Sequence, residues 1–87
     1  MGSTVNRILR LNGVIACYGK SRSPIYADMQ AGLFPRSIKL GARAAGWIEG
    51  EVQEVIAARI RGADDNTIRK LVAKLHSERK TATPAAA

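Results

Sequence analysis

The sequence is poor in cysteine, histidine and aromatic residues, with one Cys, one His, one Trp, two Tyr and one Phe in 87 positions. Each scarcity closes a class of function. Cys17 has no second cysteine with which to form an internal disulfide, which fits a reducing compartment. Cys17 and His76 are the only soft ligands, too few for a single chain to build a zinc site. Neither residue belongs to a Ser/His/acid or Cys/His set of the kind nucleophilic catalysis needs. No glycine-rich stretch has the P-loop or dinucleotide-binding pattern. No catalytic residue, metal or cofactor is therefore expected.

Long apolar runs are also missing. The longest uncharged stretch, Leu11 to Gly19, is nine residues, against the ~20 that span a bilayer. The opening MGSTVNR has no apolar signal-peptide core, and Asn6 stands where a myristoylation motif places Ser or Thr. A cytoplasmic protein without membrane contact is the expectation.

Acids are scarce where bases are dense. The formal net charge is +7 and the pI about 10.4. Within residues 1–47, Asp28 is the one acid against Arg7, Arg10, Lys20, Arg22, Arg36, Lys39 and Arg43. The rest of the chain is nearly balanced. A polyanionic partner should therefore dock on the first half.

The apolar pattern then gives the layout. Asn12 is a candidate N-cap for a short helix carrying Val14, Ile15 and Tyr18. Gly19 permits a tight turn, and Ser21 caps a second helix with Pro24 in its first turn, where the missing amide costs nothing. Ile25 and Met29 share its inner face. Ala31-Gly32 ends it, and Phe34-Pro35 forces extended chain. Apolar and basic residues then interleave from Arg36 to Trp47 around Gly41, the pattern of a β-hairpin. Ile48, Val52, Val55, Ile56 and Ile60 take helical spacing, with Glu49, Glu51 and Glu54 in the first turns, where the helix dipole favours acids. These glutamates read as helix-start acids rather than metal ligands.

Ile68, Leu71, Val72 and Leu75 repeat the amphipathic helical spacing. The expected organisation is a flexible 1–6, a domain over 7–62, a basic amphipathic helix over 63–80 and a disordered 81–87. Trp47, Phe34 and Tyr18 supply the core. The apolar stripe can fold back on the domain, join another copy or hold a partner protein. Because the domain reads as complete near residue 61, oligomer or partner contact is the expectation.

Helix, tight turn, helix, basic hairpin, helix is the order of a winged helix-turn-helix, mainly α with a small β-hairpin wing. The recognition helix would offer Lys20, Ser21, Arg22, Ser23 and Tyr26, and the wing Arg36, Lys39 and Arg43. Arginine can take guanine bidentately in a major groove, while Ser, Tyr and helix-start amides suit phosphates.

Five motifs occur in order: Ile8 to Leu11, Gly19 to Tyr26, Phe34 to Gly41, Gly46-Trp47 and Glu51-Val52. With them, residues 7–61 resemble the AlpA-type regulators and excisionases of prophages, a MerR-like winged helix-turn-helix group. Pro24 departs from the usual Thr of that pattern, and Lys20 from the usual Leu. The resemblance implies a nucleoid-associated bacterial protein that binds double-stranded DNA without catalysis. It implies first an excisionase, or recombination directionality factor. Several copies would bind beside an attachment site, bend the DNA and favour a tyrosine or serine integrase. The alternatives are a transcriptional regulator at a promoter and a protein-interaction module that does not bind DNA.

Overall fold

Helical spacing outweighs strand alternation in this chain, and the computed structural model, which describes residues 7–79, is accordingly mostly helix. Strand β1 (Ile8–Leu9) leads into α1 (Leu11–Tyr18) and α2 (Arg22–Gln30). The hairpin β2 (Ile38–Gly41) and β3 (Ala44–Ile48) follows, then α3 (Glu49–Ile60) and α4 (Asp65–Arg79). The strands form an antiparallel sheet in the order β1-β3-β2, with Ile8 opposite Ile48 and Leu9 opposite Trp47. The predicted fold class is the observed one. The segments expected to be disordered or flexible, 1–6 and 81–87, lie outside the described residues.

Two expectations are corrected. Helix α1 starts two residues early, at Leu11, and its cap is Arg10, in extended conformation with no side-chain capping bond, rather than Asn12. The reason is tertiary. Pairing of Ile8-Leu9 with β3 fixes the chain's direction before the helix, so position in the sheet overrides the capping preference of Asn12. That pairing needs Gly46: a Cβ there would collide with Ile8 Cγ2 and stand 3.1 Å from Leu9 O.

The second correction concerns the stripe of α4. Ile68, Val72 and Leu75 are buried in one cluster with Val14, Ile25, Phe34, Trp47, Val52, Val55 and Ala58, and Leu71 packs against it. Helix α3 is contacted by α1 and β3 as well as by α4. The residues before Gly62 leave part of α3's apolar surface open, and α4 closes it. The fold therefore runs on beyond residue 61: Ile68, Val72 and Leu75 are spent on the chain's own core, and Leu71 is half-buried against it.

The turn between α1 and α2 depends on a residue free to take positive φ. Gly19 has φ 80° and ψ 11°, and its amide donates to Ile15 O at 3.0 Å. Pro24 fits the first turn of α2 because the first intrahelical bond comes after it, from Ile25 N to Ser21 O at 3.2 Å.

Candidate nucleic-acid interface

Helix α2 buries one side and exposes the other. Ile25 is fully buried, and Met29 packs on the core. Arg22, Ser23 and Tyr26, spaced to share a face, are exposed, as is the cap residue Ser21. The Tyr26 ring lies 6.3 Å from that of Trp47 on β3, so the exposed face of α2 borders the hairpin. Trp47 is fixed in turn by its indole N–H, which donates to Pro35 O at 3.1 Å.

The hairpin carries Arg36 before its first strand, Lys39 on β2 and Arg43 in the turn, all exposed. Lys39 pairs across the ribbon with Ala45, and the ladder shifts register between Lys39 and Gly41. Arg10, which the sequence reading did not single out, donates from Nε to Ala45 O at 3.1 Å and adds a cation beside β3. Its signal was weak, because Arg10 reads as part of the entry to α1.

Lys20 behaves differently from the other candidates. Its ammonium is 2.7 Å from Asp28 Oδ2 and 5.3 Å from the centre of the Tyr18 ring. Asp28 also accepts from Tyr18 Oη at 2.8 Å. Burial alone would raise the Asp28 carboxyl, but the hydrogen bonds from Lys20 and Tyr18 outweigh it and hold the group below its ordinary value. Burial, reinforced by the bond to Asp28, pushes the Tyr18 phenol up to about 12. A charge at position 20 is thus accommodated by a local acid, and Lys20 ties α2 to the end of α1.

A distinction among cations emerges. Of the bases in 1–47, Arg7 is paired with Glu49 at 2.8 Å and Lys20 with Asp28, while Arg10 is held by a carbonyl. Among the described residues, the side chains of Arg22, Arg36, Lys39 and Arg43 make no ion pair or hydrogen bond. Their positive charge is left facing solvent. The helix-start acids Glu49 and Glu51 are both buried, at 6 % exposure each, and each is matched by an arginine from far along the chain, Arg7 or Arg79. Among the described residues no group of acids, Cys or His is arranged to hold a metal ion, and no helix is long and apolar enough to cross a membrane.

Residues 7–60 match the family model described as the prophage CP4-57 regulatory protein AlpA. The chain belongs to the AlpA family. It is 39 % identical over 59 residues to ORF88, an uncharacterized protein of Enterobacteria phage P4, covering 68 % of this chain and 67 % of that one. It is 36 % identical over 61 residues to the DNA-binding transcriptional activator AlpA of Escherichia coli, covering 63 % and 87 %. No solved structure matches. The matched residues of this AlpA-family chain contain the turn, α2, the hairpin and α3; α4 lies beyond them.

Proposed function

We propose that this AlpA-family protein is a sequence-specific binder of double-stranded DNA that acts as an accessory regulator of a mobile element, without catalysis of its own. The observation that carries the reading is the set of acid-free cations: Arg22 at the start of α2, and Arg36, Lys39 and Arg43 along the wing. Helix α2 enters the major groove, where Arg22 reads a base edge and Ser21, Ser23 and Tyr26 take phosphates. The wing lies on the flanking backbone. Lys20 takes no part, since Asp28 neutralises it.

One module of this size covers roughly 600–1,000 Å² of protein surface on DNA, modest for a specific site, so several copies acting on adjacent sites suit it. Two outputs follow from the same binding. As a recombination directionality factor, copies bend the DNA beside an attachment site and assist an integrase. As a transcriptional regulator, the protein binds a promoter. The second output has a specific observation in its favour: the relative at 36 % identity is named a DNA-binding transcriptional activator. The stripe expected to join copies is spent in the core, which removes one support for the first. We therefore put promoter regulation first.

Footprinting across the element's attachment region and its promoters separates the outputs. Protection upstream of a promoter supports regulation, and protection beside the recombination core supports the directionality role. Absence of any footprint contradicts DNA binding itself.

A further inference from the structure

The stretch that feeds the wing, residues 34–37, has no strand partner, because β2 begins at Ile38 on the edge of the sheet. Helix α4 stands in for one. The Arg36 amide donates to His76 Nε2 at 3.1 Å, and the Arg36 carbonyl accepts from Arg79 Nη2 at 2.8 Å. Both backbone groups of one residue are thus held by two side chains from the last turns of α4. Arg79 is itself anchored, donating to both carboxylate oxygens of buried Glu51 at 2.6 and 2.8 Å. Trp47 holds the preceding residue through Pro35 O.

We infer that α4 is a brace for the wing, in which His76 and Arg79 are positioning residues that fix the backbone of Arg36 and so set where its guanidinium meets DNA. The inference rests on reading the wing as a DNA contact, and it deepens that reading. Helix α4 lies outside the residues that match the family model. A brace of this kind responds to protonation. His76 accepts the Arg36 amide only while Nε2 is unprotonated, and a protonated ring has no lone pair left to offer. The groups facing it are Arg79 on its own helix, Arg36 at the wing and Glu51 on α3. Burial, followed by the repulsion of Arg79 and Arg36, holds His76 below its ordinary value of 6.5, so the brace is closed at neutral pH and opens on acidification.

The test is a salt titration of binding by the full chain to a fluorescent random-sequence duplex of about 20 bp, where each phosphate contact adds about 0.9 to the slope. At neutral pH, Arg36→Ala and His76→Ala should each lower the slope by about one contact. His76→Ala should remove nothing further from the Arg36→Ala protein. His76→Gln, whose amide oxygen can accept the same N–H, should keep the slope of the unaltered chain. A purely structural role for His76 would not produce this dependence on Arg36. If His76→Ala fails to fold, the unaltered chain gives the answer: its slope excess over Arg36→Ala should vanish as the pH is lowered through the folded His76 value, which lies below the ordinary 6.5. A wild-type slope for folded His76→Ala beside a reduced one for Arg36→Ala overturns the brace and leaves the DNA reading standing. An unchanged slope for Arg36→Ala overturns the wing contact and the brace together.

Discussion

Arg22 and Lys20 stand two positions apart in a basic stretch, yet only Arg22 is without an acid. Lys20 is held at 2.7 Å by Asp28. In the proposed complex Arg22 reads a base, so Arg22→Ala should weaken specific binding by roughly 1–3 kcal/mol and relax preference at one base pair. Binding assays on the selected site and on random DNA check this; equal losses on both would remove the base-reading role. Asp28 gives a separate expectation. Its folded pKa lies below the ordinary 3.8, so the folded state binds its proton less readily than the unfolded chain. Its stabilising contribution is complete above that ordinary range and is lost as pH falls through the folded value. Asp28→Asn should flatten the acid limb of a series of thermal melts, and an unaltered limb would mean the Lys20–Asp28–Tyr18 cluster contributes nothing to stability.

Among the elements, those set by local chemistry were legible in the sequence. Gly19 and Ser21 bracket the turn, Pro24 fixes the start of α2, and alternation around Gly41 marks the hairpin. What escaped the sequence depends on distant partners. Strand β1 is two residues long and exists because Ile8 and Leu9 find Ile48 and Trp47. The α4 stripe was recognised as apolar, but spacing alone does not say which surface covers it, and the groove it fills is made by α3. The brace was invisible because Glu51, His76 and Arg79 each read as ordinary residues of solvent-facing helices. The core role of α4 has a direct check. Ile68 is fully buried and Ile60 is 81 % exposed. Ile68→Ala should cost about 2–5 kcal/mol in chemical denaturation, while Ile60→Ser should stay within about 0.5 kcal/mol. A mild Ile68→Ala would mean that α4 is loosely attached. The wing has its own test at this scale. Lys39→Ala with Arg43→Ala should lower affinity for all sequences and flatten the salt slope by about two contacts, and an unchanged slope would turn the wing away from DNA.

Across the whole molecule, long-range ion pairs join the ends of the described chain to the middle. Arg7 reaches Glu49 and Arg79 reaches Glu51, so both ends of the described residues converge on the start of α3. That convergence neutralises the acids nearest the hairpin and leaves the net charge of +7 to be expressed elsewhere. In the proposed complex, recognition lies with α2 and the wing. The opposing assignment uses the exposed cations of α4, Arg69, Lys70 and Lys74. The measurement that decides between them is amide chemical-shift mapping of the isotopically labelled full chain, titrated with a duplex bearing its selected site. Recognition by α2 and the wing should give the largest shifts at residues 21–26 and 36–45, with little change at 69–74. Shifts centred on 69–74, with α2 unmoved, would contradict it.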